Sequence, residues 1–443
     1  GHVGISHSGL NMQYGTVAEP TVSIDLRNSK TRLAGEWRPD GNALERVKWQ
    51  LGHSDYRHTE LDAGTPATTF TQKASDARLE LHHKPLLGHK GLLGYQRDSG
   101  QFSADGAEAY APYSQTRKQA FFLYEELPLS WGQVQWGARL EDVRVTSLGN
   151  AAVARLNGNL GEKQFKPASA SAGALWKLGR GWEATGQLAL SQRAPNDAEL
   201  FANGPHAATN AYEVGNPNLG IEKSRSFDLG LAWKDAGHRV KANVYANRFR
   251  NYIYLHNTGL MVSEEGDPET VPGSGVTAGG DPADLPRYDF LTTTARFRGL
   301  EFSGTHPLAL PATGKWFADW RADLVRADNL GTGEPLPRIA PVRLGASLRL
   351  ERGPLQAQLG FDHSMSQTRV PAGQVATNGY TLWHLRGSYQ LRRDGNGQLS
   401  AYARLENISD AKAFSATSVL TQTAPGKNPL AGRSLTLGLR HMF

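Results

Sequence analysis

Residues 193–233, RAPNDAELFANGPHAATNAYEVGNPNLGIEKSRSFDLGLAW, decide how the rest of the chain is read. Up to about Leu219 the stretch is loop chemistry. Pro195, Gly204, Pro205, Gly215, Asn216 and Pro217 punctuate it too often for any regular element. Beyond that point it alternates, with Phe227, Leu229, Leu231 and Trp233 on one face and Asp228, Gly230, Ala232 and Lys234 on the other. That is a strand with a single apolar face and a period of two. A polar loop feeding a long amphipathic strand suits a sheet with lipid on one side and water on the other.

The composition bounds the alternatives. A length of 443 residues suggests two or three domains on size alone. No linker, low-complexity stretch or composition shift divides the chain, so a single domain over residues 1–443 is expected, built as one closed sheet whose length grows with strand number. Mean hydropathy is −0.48, and no segment approaches the ~18 consecutive apolar residues of a membrane helix. Neither fact excludes a membrane barrel, whose alternating strands average to a polar sequence. The absence of cysteine suits an oxidising envelope compartment and occurs in the cytoplasm too. A net charge of +6 without a basic block argues against a nucleic-acid partner. No nucleophile elbow, zinc-protease helix, P-loop or dinucleotide fingerprint is present, so no catalytic residue is expected and the chain reads as no enzyme. Gly1 is not a start methionine and no signal peptide precedes it, which reads as a chain trimmed at its N-terminus.

Working outward, the same alternation recurs along the chain. Short turns near residues 39–42, 179–181, 235–237 and 394–397 alternate with longer polar connections near Asp62, Ala104, Asn150, Ala194, Glu264 and Val370. Short turns at one rim and long loops at the other are the outer-membrane pattern. The largest connection, roughly residues 260–286, carries Glu264, Glu265, Asp267, Glu269, Asp281 and Asp284 among glycines and prolines. It suits either cation capture at an entrance or a plain solvated loop. Val342, Leu344, Ala346, Leu348 and Leu350 oppose Arg343, Gly345, Ser347, Arg349 and Glu351. Leu355, Ala357, Leu359 and Phe361 repeat this against Gln356, Gln358 and Asp362. The final strand sets Leu435, Leu437, Leu439, His441 and Phe443 against Ser434, Thr436, Gly438 and Arg440. Such runs count to about eighteen strands of roughly ten residues, an all-β antiparallel transmembrane barrel that leaves no edge in a bilayer. Trp136, Trp176, Trp182, Trp233, Trp316, Trp320 and Trp383 suit its interfacial girdles. The adjacent His82 and His83 point to opposite faces and are not expected to chelate one ion together.

R-x-P-x-x-x-E-L-F from Arg193, then G-P-H-x-A-T and Y-E-x-G-N-P-x-L-x-x-E, together resemble the loop and following strand of TonB-dependent outer-membrane receptors. PLPRIAPVRLGASLRL, LENISDAKAF and APGKNPLAGRSLTLGLRHMF resemble later strands and turns of the same superfamily. The terminal Phe443 resembles the C-terminal aromatic by which such barrels are recognised for assembly. GHVGISHSGLNMQYG, IDLRNSKTRLAGEW, ARLELHHKPLLGHKGLLGYQ and SADGAEAYAP resemble the zinc- and haem-uptake branch. The resemblance implies a barrel of about twenty-two strands, of which this chain holds roughly eighteen. It also implies an N-terminal plug domain that is missing here, together with the first strands. The partners implied are outer-membrane lipid, the chain's own plug, the TonB energy-transducing complex and the barrel-assembly machinery. Between Gly15 and Thr21, where zinc-type members carry a long His- and Asp-rich loop, only Thr16-Val17-Ala18-Glu19-Pro20 remains.

The resemblance also implies candidate site residues. Positions matching Glu60 and His206 supply metal ligands in zinc-type receptors. An imidazole nitrogen and a carboxylate oxygen suit Zn²⁺, which needs two further ligands, from the plug or from neighbours such as His58 or His53. Arg193, Glu199, Tyr212, Glu213 and Asn216 complete the loop motif, either contacting substrate or plug or ordering the loop through local hydrogen bonds. A haem cargo would want an exposed axial His or Tyr, and His206 and Tyr212 share the loop. No cofactor is required; zinc or haem enters as transported ligand. The function expected is energy-dependent uptake of a metal ion or complex, with a siderophore receptor or a passive porin-like channel as alternatives.

Overall fold

A computed structural model describes residues 1–443 apart from 18, 42, 107, 265–267, 271–283, 311–313, 395–396 and 443, and gives only the backbone of 268–270 and 394. Phe443, Ala18, Asn42, Glu265, Asp267 and Asp281 therefore lie outside the described residues, as does the Glu269 side chain. Among the described residues there are twenty-two strands, eighteen of them nine residues or longer. The eighteen long strands match the count expected from the alternation. The chain divides into two compact units: Gly1–Ala174 with Leu188–Ser226 and Arg248–Ala295, and Leu175–Gln187 with Phe227–Asn247 and Arg296–Phe443.

The first unit opens as an antiparallel meander in chain order from His2–Gly15 through Gly132–Gly149, each strand pairing with the next. One row across it runs Trp49, Leu79, Tyr95, Phe121 and Leu140, directly opposite one another in turn. Leu79, Phe121 and Leu140 are 40%, 61% and 64% exposed, which is the signature of a face made for lipid. The other face is wet chemistry. Arg78 donates to Glu80 and Gln96, and Arg139 to Glu141. Both guanidinium groups lie over the Phe122 ring, 4.3 and 5.6 Å from its centroid. Along Leu44–Asp62 the outward positions change from Val47, Trp49 and Leu51 to His53, Asp55 and Arg57, so the far end of this strand stands beyond the lipid-facing band.

The connection at Asp62 corrects the expectation of a long loop. Leu44–Asp62 and Thr65–His83 are joined by only Ala63 and Gly64, at φ +46° and +86°. Both central residues in the left-handed region make the hairpin turn whose twist matches its strands. Arg180–Gly181 and Ala236–Gly237 turn the same way, within the short turns expected at 179–181 and 235–237.

In the second unit Lys315–Asn329, Arg343–Arg352, Leu355–Ser364, Tyr380–Asp394, Gly397–Glu406 and Ser434–Met442 pair antiparallel in chain order. The expected faces are found. Leu435, Leu437 and Leu439 are 64–71% exposed, and Arg343, Arg349 and Arg386 on the opposite side reach Asp323, Asp319 and Glu406. Leu437→Arg is therefore expected to cost about 2–4 kcal/mol in urea unfolding from lipid vesicles, with Thr436→Arg on the opposite face near neutral. Equal costs would mean that the faces are wrongly assigned.

Candidate functional site

The 193–222 motif is more ordered than its prolines and glycines suggest. Asp197–Phe201 is a helix, with a capping box in which Asn196 accepts from the Glu199 amide at 2.8 Å while the Glu199 carboxylate accepts from the Asn196 amide at 2.8 Å. Reciprocal capping satisfies donors that so short a helix cannot pair internally. Leu200 and Phe201 are buried against Val143, Val145, Leu219 and Ile253, and this burial holds the helix in place. The sequence did carry the signal, an Asn followed three residues later by Glu, but the prolines obscured it.

Arg193 ties the helix to the strand behind it. Its guanidinium donates to Glu199 Oε2 at 2.8 Å and makes a fork to Glu222, 3.2 and 3.1 Å. Glu222 also accepts from the Ile253 amide at 2.9 Å. Partial burial works against the Arg193 charge, and the two carboxylates more than offset it, so its pKa is raised. The Asn216 amide donates to the Glu199 carbonyl at 2.8 Å, and its side chain accepts from Asn218. Arg193, Glu199 and Asn216 thus make the loop's own bonds.

The other half of the motif is a small hairpin, Asn203–His206 with Ala211–Val214, whose second strand also runs parallel to Leu285–Leu308 at Tyr212 and Arg287. His206 Nδ1 lies 3.0 Å from Glu213 Oε1, and the Thr209 hydroxyl donates to the same oxygen at 2.9 Å. The imidazole stacks on Tyr110 with centroids 4.2 Å apart and planes at 7°. Gly204 permits this approach, since a Cβ there would stand 2.8 Å from the Ala109 carbonyl and the Tyr110 Cα. Burial, and then the charges of Glu213 and Asp197, raise the Tyr110 pKa, so the phenol stays protonated. Tyr212 is 3% exposed and its hydroxyl donates to Asn203 at 3.0 Å. Of the two candidate haem ligands only His206 keeps an accessible ring, with its side chain 25% exposed. Arg155, which donates to the Asn203 and Ala109 carbonyls, and Tyr110 were not singled out from the sequence. Their contacts join distant segments and leave no local spacing to read.

Glu60 is 6% exposed at the far end of its strand. Among the described residues its Oε2 atom has no hydrogen-bond partner, and neither has Oε2 of Glu108; the two carboxyl groups bond to each other. Burial and the adjacent Glu108 push Glu60 up to about 8, with a smaller contribution from Glu19. Burial also raises Glu108. His58 stacks on Phe70, 4.6 Å between centroids, and its pKa is lowered by burial and then by the neighbouring His206. Rings therefore step from His58 through Phe70 and Tyr110 to His206. His53 is exposed and bonds Ser75, so it does not join this group. Among the described residues no three His, Asp or Glu side chains gather closely enough to hold a metal ion.

An acid whose pKa rises on folding stabilises the fold least when ionised. The penalty from Glu60 is absent below about pH 4.5 and grows as pH climbs to about 8. Glu60→Gln is expected to raise the unfolding midpoint at pH 9 and to change it little at pH 4. Equal effects at both pH values would mean that the Glu60 carboxyl is not held protonated in the fold. His82 and His83 take different carboxylates, Glu80 and Glu125, as their alternation requires.

Comparisons with known proteins bear on this geometry. Residues 8–408 match the family model described as TonB dependent receptor-like, beta-barrel. The hemoglobin-haptoglobin utilization protein B of Neisseria meningitidis serogroup A / serotype 4A is 29% identical over 143 residues, covering 31% of this chain and 17% of that protein. Among solved structures, the copper transporter OprC superposes with a TM-score of 0.76 at 16% identity, covering 96% of this chain and 66% of its own. The FrpB iron transporter from Neisseria meningitidis gives 0.72 at 12% identity, over 99% and 68%. The Serratia marcescens hemophore receptor HasR, solved with its hemophore HasA and heme, gives 0.66 at 15% identity, over 99% and 69%. At these identities the superpositions speak for the fold, and the chain spans about two thirds of each solved neighbour. The neighbours are receptors and transporters, not enzymes. The chain belongs to the TonB-dependent receptor-like β-barrel family.

Proposed function

We propose that this chain is the barrel of a Gram-negative outer-membrane receptor that takes up a metal complex, with haem as the favoured cargo, energised through the TonB complex. The observation that carries the proposal is His206. With Nδ1 engaged by Glu213, its Nε2 carries the ring's lone pair, and the carboxylate makes it a stronger donor. The names of two relatives, one for hemoglobin-haptoglobin utilization and one bound to heme, support the same cargo. Outer-membrane lipid, a plug domain, TonB and the barrel-assembly machinery are the partners that go with it.

A second cargo, zinc, is favoured by one specific observation, the buried Glu60 carboxyl, paired with Glu108 and with no hydrogen-bond partner on its Oε2 among the described residues. Titrating haemin, followed by its Soret band, and Zn²⁺, followed by calorimetry, into the receptor in detergent separates the two. Haem binding without zinc binding supports the first cargo, zinc binding alone the second. A response to neither, with an iron chelate bound instead, would overturn both. Uptake that survives collapse of the inner-membrane proton gradient would favour a passive channel over an energised receptor.

A further inference from the structure

The strand Leu285–Leu308 has two unlike faces. On one, Gly299 lies under Tyr245, where an added Cβ would stand 2.2 Å from the ring, beside Glu301, Asp323 and Asp228. On the other, Leu300 and Phe302 are 39% and 42% exposed. A period of two places Arg298 and Arg296 on the side of Leu300 and Phe302, about 7 and 14 Å further along the strand. In that direction lie the long connections 330–342 and 365–379 rather than the short turns.

Three arginines meet there on one carboxylate. Arg296 and Arg298 reach Asp328 Oδ2 at 3.0 and 3.3 Å. Arg369, from the 365–379 connection, reaches Oδ1 and also donates to the Ala327 carbonyl at 3.1 Å. The arginine side chains are 39–52% exposed while that of Asp328 is 12% exposed. One guanidinium would suffice to neutralise Asp328. Three leave positive charge in excess, held at fixed spacing by the shared carboxylate, with N–H donors facing solvent. Arg326, two residues before Asp328 on the same strand face, is also exposed.

We propose that Arg296, Arg298 and Arg369 form a site for the phosphate of an anionic lipid headgroup in the outer leaflet. The site continues the apolar strip of Leu300 and Phe302, so acyl chains and phosphate of one molecule meet complementary surface. Guanidinium groups suit the purpose because their planar fork matches phosphate oxygens two at a time. Clustered cations bordering a lipid-facing surface bind anionic headgroups by the same physics elsewhere. The site rests on the outer-membrane reading of the chain, and its test does not.

The 443-residue chain in dodecyl maltoside is mixed with lipid A carrying two phosphates, with its dephosphorylated form, or with inorganic phosphate, and retained ligand is read by native mass spectrometry. Phosphorylated lipid A is expected to be retained about tenfold more than the dephosphorylated form, and the Arg298→Gln/Arg369→Gln variant to lose about that factor. Arg298→Lys, which keeps charge and loses the fork, should fall between. Asp328→Asn leaves every arginine but removes the carboxylate that fixes their spacing, so it should lose part of the retention and less than the double variant. Each variant is compared at equal heat-modifiable, folded fraction. Equal retention of both lipids by the parent chain, or unchanged retention by the double variant, overturns the site. Inorganic phosphate bound as tightly as the lipid overturns the lipid source. Cell fractionation tests the location separately, so failure there is distinguishable from failure of the site.

Discussion

Arg193→Ala is expected to lower the unfolding free energy by about 2–3 kcal/mol, the range for breaking a buried ion pair reduced because the Arg193 side chain is 42% exposed. The cost falls on what is left behind. Glu199 and Glu222 are 8% and 9% exposed, and without the guanidinium both carboxylates stay in the fold with backbone amides as their remaining donors. Arg193→Lys is expected to recover only part of the loss, because one ammonium cannot span two carboxylates and make a fork to either. Urea unfolding of the chain in detergent, followed by tryptophan fluorescence, measures it. Parent-like stability of both variants would mean that the two carboxylates are adequately solvated without Arg193.

How much of this was legible in the sequence depends on how far apart the partners lie. The faces of Arg343–Arg352 and Ser434–Met442 were readable because side-chain alternation is a property of the strand itself. The Ala63–Gly64 hairpin was missed because alanine is a poor marker for a position at φ +46°, and the Asp62 segment read as polar loop. The helix Asp197–Phe201 is shorter than any that propensity could nucleate; its capping box and the burial of Leu200 and Phe201 make it. Hidden altogether were the long-range contacts. Tyr110 under His206, Glu108 against Glu60 and the parallel pairing of Tyr212 with Arg287 each join segments tens of residues apart. Glu60 and His206 were paired through resemblance alone; the structure links His58, two residues before Glu60, to His206 through intervening rings and gathers no ligand set of three among the described residues.

His206→Ala is expected to cost at least as much haem affinity as Glu213→Gln, for which about 10–100-fold is the usual loss when the residue orienting a metal-binding imidazole is changed. The two variants test different links. Alanine removes the donor nitrogen, whereas glutamine keeps a side chain of the same shape that no longer carries the charge that draws the Nδ1 proton. Tyr110→Leu removes the flat partner 4.2 Å from the ring and leaves the Glu213 bond, so it should widen the ring's orientations and weaken haem less than either. Tyr212 offers no substitute axial ligand, since its hydroxyl is buried and donates to Asn203; Tyr212→Phe should leave the Soret maximum unchanged. Soret titration with electron paramagnetic resonance of the ferric complex reads affinity and axial ligand together. A His206→Ala variant with the parent's spectrum and affinity would move the cargo away from the Tyr110 stack. The buried carboxyl pair of Glu60 and Glu108 would then become the strongest remaining candidate for contact with cargo, and zinc the cargo to test first.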